Sequence, residues 1–554
     1  MTAGTGGVTV ASMQKPSART APALLDEMTV RQPERAAIID GDRRWSYGDL
    51  RAEARAVARG LWATGVRPGD RVAILMGNRA EWLSCYFAIL GLGATAVALN
   101  TWLTPREQAY QLNHAEVETL ILAGRFGERD LLAELAAMRG LGLPSLRQVI
   151  VVDGLAPAGG IGFADLASLG QTVSESTIDA IWNRVAPDTI ACILYTSGST
   201  ATPKGVPLQH HGLIDNMWEI GERLHLGVDD RLWFAVSLFW SFGCVNALFA
   251  LMTHGASMVL QHHFDAGAAL RLIERERCTV IYGTPNMAEA LSRHPDRPRR
   301  DLSSLRTGAA IGTPEQLQVF VDLGAQQICN VYGLTEAYGN SAVTDAAAPL
   351  GQRLAASGPP LPGVTLRVLD LENGRPLRAG EIGEIVLKGR LTPGYLNDAE
   401  TTDRSMTADG FLLTGDLGFV DGDGWVHFQG RRKELIKSGG INIAPVEIEA
   451  VLASHPAVGA VFVTGLGDPR RDQTVAAVVV PRERQTVTAQ ALRDHCRQVL
   501  AAYKVPRHFA FVAAEDLPLT STGKLQRNRL AELPFDEADN GRTEDGVNAS
   551  PSVT

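Results

Sequence analysis

The sequence has no CxxC pair, no His/Cys cluster at zinc-ligand spacing, and no apolar run near the roughly 20 residues needed to span a bilayer. Its six cysteines (Cys85, Cys192, Cys244, Cys278, Cys329 and Cys496) are scattered, which excludes a disulfide scaffold and points to reduced, mostly buried thiols of a cytoplasmic protein. Excess positive charge is missing as well. With 52 basic and 61 acidic residues the net charge is −9, so the chain has no general attraction for nucleic acid or an anionic membrane. The apolar stretch Leu248 to Met252 is halted by Thr253, His254 and Gly255 and reads as the end of a core helix. Residues 1–20 are small and polar without a basic-then-apolar layout, so they are expected to be a disordered N-terminus rather than a secretory signal. The acidic, apolar-poor stretch 536–554 is expected to be a disordered tail.

A chain of 554 residues exceeds the size at which one hydrophobic core stops growing, and predicts a large body with at least one further domain. Short β-branched runs alternate with amphipathic stretches: Arg71 to Leu75, Glu81 to Leu90, Ala94 to Leu99, Leu232 to Val236, Phe242 to Met252, Ser257 to Leu260, Ala269 to Arg277 and Thr279 to Tyr282. That alternation predicts an α/β fold of βαβ units, with parallel sheets covered on both faces. Near Gly380 the texture changes to short alternating strands, Gly383 to Lys388 and Gly424 to Phe428, which predict a small β-rich subdomain closing the body. After Gly430 a compact α+β reading follows: helix Val446 to Ser454, strand Ala460 to Thr464, strand Val475 to Val480, helix Ala489 to Tyr503 and strand Phe509 to Val512. The expected division is therefore a large domain over 21–430 and a small one over 431–535.

The strongest local signal is Ile193-Leu194-Tyr195-Thr196-Ser197-Gly198-Ser199-Thr200-Ala201-Thr202-Pro203-Lys204-Gly205, an apolar strand entering a hydroxyl-rich loop that ends in a lysine. Backbone N–H groups, hydroxyls and one ammonium are what phosphate oxygens require. It is not a Walker A loop, because Pro203 precedes Lys204 and Gly205 follows it. Tyr332-Gly333-Leu334-Thr335-Glu336 follows the strand-like Gln327 to Val331 and puts an aromatic ring, a hydroxyl and a carboxylate at a strand's carboxyl end, where open α/β sheets bind ligands. By itself the pentapeptide also fits a helix start capped by Thr335. Thr414-Gly415-Asp416 places a carboxylate after the strand-like Gly410 to Leu413, and Gly430-Arg431-Arg432-Lys433 follows the strand holding His427 and Phe428.

Taken in order along roughly Ala23 to Leu530, these motifs resemble those of the adenylate-forming superfamily: acyl- and aryl-CoA ligases, peptide-synthetase adenylation domains and firefly-type luciferases. The resemblance is nearest to the acyl-CoA ligases. It implies a large N-terminal body and a small C-terminal domain that swivels between two half-reactions, first making acyl-AMP and pyrophosphate from an acid and ATP, then moving the acyl group to coenzyme A. Carried over by position, Thr196, Ser197, Gly198, Ser199, Thr200 and Lys204 would hold the β- and γ-phosphates. Tyr332 would stack on adenine, Gly333 and Phe428 would belong to the same nucleotide-binding set, and Gly308, Ala309 and Ala310 would line the adenine and acyl end. Thr335 would touch the α-phosphate and Glu336 would ligate Mg²⁺, a hard cation that prefers oxygen donors. Asp416 would accept the ribose hydroxyls with Arg431 beside it, and Lys433 would be the hinge. Pro518-Leu519-Thr520-Ser521-Thr522-Gly523-Lys524 matches the late lysine motif, so Lys524 would bridge the attacking carboxylate and the α-phosphate. Ser438-Gly439-Gly440 fits the loop facing the pantetheine of coenzyme A, where side chains would block a narrow tunnel; it also fits a plain turn before Ile441.

Two positions depart from the family pattern. The phosphate loop carries Ala201 where glycine is usual, and an L-residue held at positive φ costs roughly 1–2 kcal/mol, about a tenfold rate effect. An acyl-AMP lacks the phosphates that this loop would hold, so thioesterification of a pre-made acyl-AMP could survive where ATP use fails. Trp240 stands where many acyl-CoA ligases have histidine, and would wall the acyl pocket together with Gly308, which suggests a bulky acid. The leading expectation is an ATP- and Mg²⁺-dependent carboxylate–CoA ligase. A non-adenylating acyltransferase using pre-made acyl-AMP and an adenylation enzyme loading a carrier-protein phosphopantetheine are the alternatives. No nucleic acid or membrane partner is expected, and an oligomer is allowed.

Overall fold

β-branched and small residues in the strands, and apolar stripes on the helices between them, build two layered sheets. The computed structural model describes residues 13–196, 203–438, 441–443, 445–468, 472–519 and 525–536. The first sheet has seven strands in the order Lys204–Gln209, Ile190–Thr196, Thr95–Ala98, Arg71–Leu75, Thr119–Leu122, Gln148–Val151, Ile161–Gly162. Its pairings are parallel except for the hairpin of Ile190–Thr196 with Lys204–Gln209. The second has eight strands, ordered Ala342–Val343, Gln327–Tyr332, Thr307–Ala310, Val280–Tyr282, Arg231–Phe234, Ser257–Leu260, Ala36–Asp40, Arg43–Ser46. It is parallel from Ala36–Asp40 to Gln327–Tyr332 and antiparallel only at its two edges. The helix Ala80–Gly91 is apolar almost all round and buried, as a helix packed within the core must be. All six cysteines are buried and free.

The chain divides into two compact units, one of residues 1–414 with 418–428 and one of 415–417 with 429–554. In the first, a separate small core of Tyr332, Ala337, Ala342, Ile385, Leu387 and Val426 forms where the strands Thr365–Leu369 and Gly383–Lys388 pair antiparallel. In the second, a five-stranded sheet carries Asp472–Pro481 between Val458–Asp468 on one side and Ile436–Ser438 and His508–Phe511 on the other. Pro445–Ala453 and Ala489–Arg497 are its helices, and Ile448, Leu452, Val463, Val479, Leu492 and Phe509 fill its core.

Five expectations are corrected. Residues 13–20 are folded: Ala18 is buried, Ser17 bonds the Glu27 carboxylate, and Thr20 caps the helix Ala21–Arg31. The stretch Phe242 to Met252 is not one α-helix but a π-helix, Ser241–Ala247, followed by the α-helix Leu248–Thr253. The last long helix stops at Arg497 instead of Tyr503, and a separate 3₁₀ turn covers Ala502–Lys504. Asp416 lies inside the strand Leu412–Val420, not after it. Asp536, placed in the tail, pairs with Phe509 through both backbone and side chain. Among the described residues no helix is long and apolar enough to cross a membrane.

Candidate active site

Thr196 and Lys204 face each other across the hairpin, so the strand register brings the two ends of the hydroxyl-rich loop together. Ser197, Gly198, Ser199, Thr200, Ala201 and Thr202 lie outside the described residues. The flank is anchored from the opposite layer. Tyr195 donates its hydroxyl to the Gln111 carbonyl at 3.1 Å and meets His114 Nδ1 at 2.9 Å, while Tyr110 donates to the Pro203 carbonyl. The Lys204 ammonium rests 4.6 Å from the ring centre of Tyr395.

Tyr395 also reaches the second motif. Its hydroxyl donates to Glu336 Oε1 at 2.9 Å. Burial, and then the neighbouring Glu336 charge, push the Tyr395 phenol well above its ordinary value, so it stays a neutral donor. Thr335 does not cap a helix. It opens a 3₁₀ turn, Thr335–Ala337, that has no side-chain cap, and its Oγ1 meets Ser241 Oγ at 3.3 Å, tying the turn to the start of the π-helix. The turn ends on Tyr338 at φ 56°, a left-handed conformation that a bulky residue rarely adopts; its ring packs against Gly212 and its hydroxyl accepts from the Gln209 N–H. A Cβ at Gly333 would fall 2.1 Å from the Gly339 carbonyl oxygen, so glycine is what lets this turn fold back on itself.

Tyr332 is nearly buried, and its ring stacks on the half-exposed Phe428 with centroids 6.0 Å apart and planes 27° apart. Gly308, Ala309 and Ala310 are buried in one strand. A Cβ at Gly308 would stand 1.9 Å from the Ile281 carbonyl oxygen, so the glycine there is demanded first by the neighbouring strand. Trp240 leads into the π-helix, with Trp102 edge-on at 5.1 Å and Phe239 at 5.6 Å. Asn78, which is buried, holds the approach to Trp240: its Nδ2 donates to the carbonyls of Val236 and Gln261, and its Oδ1 accepts from the Leu238 N–H.

In the smaller unit Asp416, 2 % exposed, forms an ion pair with Arg431, whose Nε lies 2.9 Å from Oδ1. Lys433 is exposed within the 3₁₀ turn Arg432–Glu434, and Ser438 ends the strand Ile436–Ser438. Gly439, Gly440 and Lys524 lie outside the described residues, although Leu519 and Leu525 on either side of the lysine motif form an antiparallel bridge. Among the described residues no three His, Cys, Asp or Glu side chains gather as metal ligands. Trp102, Tyr395 and Asn78 were not singled out from the sequence. Only Tyr395 left a trace there, as an aromatic in the Thr392-Pro393-Gly394-Tyr395 turn segment.

Comparison with known proteins gives the family. The AMP-binding enzyme family matches residues 25–396, and the AMP-binding enzyme C-terminal domain matches residues 447–524. The acyl-CoA ligase sidI of Aspergillus fumigatus is 34% identical over 518 residues, covering 88% of this chain and 86% of that protein. A methyl-dioxo-octahydroindenyl-propanoyl:CoA ligase of Mycobacterium tuberculosis is 34% identical over 525 residues, covering 93% and 99% respectively. The solved structure of the anthranilate CoA ligase AuaEII with anthranoyl-AMP superposes with a TM-score of 0.81 at 30% identity, covering 93% of this chain and 96% of that one.

Proposed function

This chain belongs to the AMP-binding enzyme family and is an AMP-forming acyl-CoA ligase, and on that premise we propose that it activates a bulky carboxylic acid with ATP and passes the acyl group to coenzyme A. The observation that carries the reading is Tyr395, which touches both Lys204 and Glu336, the two charged residues assigned to the phosphates and the metal.

The residues divide the chemistry between them. Lys204, Thr196 and the loop joining them bind the triphosphate, and Tyr332 with Phe428 offers the adenine a flat apolar wall. Asp416 accepts the ribose hydroxyls while Arg431 pairs with its carboxylate and orients it. The acid's carboxylate attacks the α-phosphate and pyrophosphate leaves; Lys524 and Thr335 stabilise the charge that develops on the α-phosphate oxygens. In the second step the thiol sulfur of coenzyme A attacks the acyl carbonyl and AMP leaves, the thiol having entered past Ser438, Gly439 and Gly440 when the small unit swivels about Lys433.

Glu336 fits Mg²⁺ in its donor chemistry. A single carboxylate, with no group of three His, Cys, Asp or Glu ligands among the described residues, suits an ion that keeps its waters and takes its other ligands from phosphates. When bound, the ion would neutralise charge on the triphosphate. The aromatic corner of Trp102, Phe239 and Trp240 favours a cyclic or otherwise bulky acid. The relatives named for a bicyclic propanoyl group and for anthranilate agree with that choice.

The test is to follow pyrophosphate with ATP, Mg²⁺ and a panel of acids, and separately to supply synthetic acyl-AMP with coenzyme A. Pyrophosphate release and thioester formation together are expected. Thioester from acyl-AMP without any pyrophosphate release would replace this reading with that of an acyltransferase limited by Ala201, and acyl transfer only to a carrier protein would make it an adenylation enzyme.

A further inference from the structure

The segment Thr392 to Leu396 is strapped to both phosphate-side motifs. The Thr392 N–H donates to the Glu336 carbonyl at 2.7 Å, and Thr392 Oγ1 donates to the Pro207 carbonyl at 2.6 Å. The Leu396 N–H donates to the Gly205 carbonyl at 2.9 Å, beside Lys204. The Tyr395 N–H is fixed by Thr402 Oγ1 at 2.8 Å, and Gly394 stands at φ 143° with Thr402 so close that a Cβ would meet it at 2.8 Å. With the backbone pinned at these points, the Tyr395 side chain lies between the two motifs. Its ring face takes the Lys204 ammonium and its hydroxyl takes the Glu336 carboxylate.

We propose that Tyr395 is a positioning residue for the phosphate end of the site, orienting the Glu336 carboxylate towards Mg²⁺ and seating the Lys204 ammonium for a phosphate. An ammonium and a carboxylate that both lie against one side chain would otherwise tend to collapse into an ion pair, leaving neither free for the nucleotide. The phenol prevents this with two different surfaces. Its hydroxyl satisfies one carboxylate oxygen and leaves the other for a cation, while its π face holds the ammonium loosely enough to be exchanged for a phosphate. Among the described residues no carboxylate forms an ion pair with Lys204; Asp398, whose pKa is lowered first by its hydrogen bonds with Thr401, also feels the Lys204 charge.

The inference rests on the reading of Glu336 and Lys204 given above, and its test separates the two. The full-length chain is titrated with ATP in a calorimeter across a Mg²⁺ series and again in EDTA, for the native protein, Tyr395→Phe, Tyr395→Leu and Glu336→Gln, with a melting curve for each. Tyr395→Phe keeps the ring and loses the hydroxyl. Its half-saturating Mg²⁺ should rise roughly tenfold, as expected for a lost hydrogen bond to a charged group, while ATP affinity in EDTA moves less than twofold. Tyr395→Leu also loses the seat of Lys204 and should weaken ATP in EDTA as well. A Tyr395→Phe midpoint equal to the native one, beside a raised midpoint in Glu336→Gln, overturns the positioning role and leaves Glu336 as the metal ligand. Equal weakening with and without Mg²⁺ also overturns it, since a merely structural role would act that way. If Glu336→Gln leaves the Mg²⁺ midpoint unmoved, or native ATP binding ignores Mg²⁺, the metal-ligand reading itself falls and this inference with it.

Discussion

Replacing Gly308 by alanine tests whether the small residues of its strand exist for a ligand or for the sheet. The added Cβ would lie 1.9 Å from the Ile281 carbonyl oxygen, 2.9 Å from its carbonyl carbon and 3.1 Å from Ile281 Cγ2. Two of these are backbone atoms in the facing register of a parallel pair, so no rotamer change relieves the contact. The strands Val280–Tyr282 and Thr307–Ala310 must part by more than about 1 Å, enough to lose one or two ladder hydrogen bonds at roughly 0.5–1.5 kcal/mol each. Overpacking adds about 1–3 kcal/mol. A total near 4 kcal/mol, set against an unfolding entropy of about 2.1 cal/mol/K per residue for a unit of roughly 400 residues, lowers the melting temperature by about 5 °C. Differential scanning calorimetry reads this directly, with Ala309→Gly, one position along the same strand, as the comparison. A Gly308→Ala protein that melts within 1 °C of the native protein, whatever happens to its nucleotide binding, would refute the steric argument.

Further outcomes are expected elsewhere. Asp416→Ala should weaken AMP and acyl-AMP binding by about 1.5–3 kcal/mol, read by calorimetry, because the half-exposed Arg431 can turn to solvent and leave the lost ligand acceptor as the main cost. Unchanged affinity would place the ribose elsewhere. His210 is buried and accepts the Ala21 N–H on Nδ1; burial, and then the nearby His211, lower its pKa to about 3. The unfolded chain therefore binds a proton that the folded chain refuses, and between pH 6.5 and about pH 3 the native protein should lose stability by about 1.4 kcal/mol per pH unit more than His210→Asn. Parallel urea-unfolding curves for the two across that range would contradict it. Ala201→Gly should raise pyrophosphate release by about tenfold if strain alone is relieved, and leave thioester formation from acyl-AMP nearly unchanged. An equal change in both steps would remove Ala201 from the phosphate end of the site.

The alternation of β-branched runs with amphipathic stretches was readable because each depends on residues within one or two turns of one another. That local code led to the strands Arg71–Leu75 and Ser257–Leu260 and to the helix bounds of Pro445–Ala453 within a residue. The hydroxyl-rich stretch from Thr196 to Lys204 and the Tyr332 to Glu336 segment stood out for the same reason, because each is a contiguous run of polar groups after an apolar strand. Tertiary packing decided the rest. Tyr395 and Glu336 are 59 residues apart, and nothing periodic links them. Their bond exists because the segment after Arg390 is pinned to two other elements. The same holds for Trp102 against Trp240, and for Gly308, where the register with Ile281 sets a backbone oxygen in the place a Cβ would take. The π-helix at Ser241–Ala247 was hidden because its composition is that of an ordinary apolar helix; a widened turn is set by what its side chains meet, such as Ser241 against Thr335 and Phe242 stacked on Tyr282, rather than by local propensity.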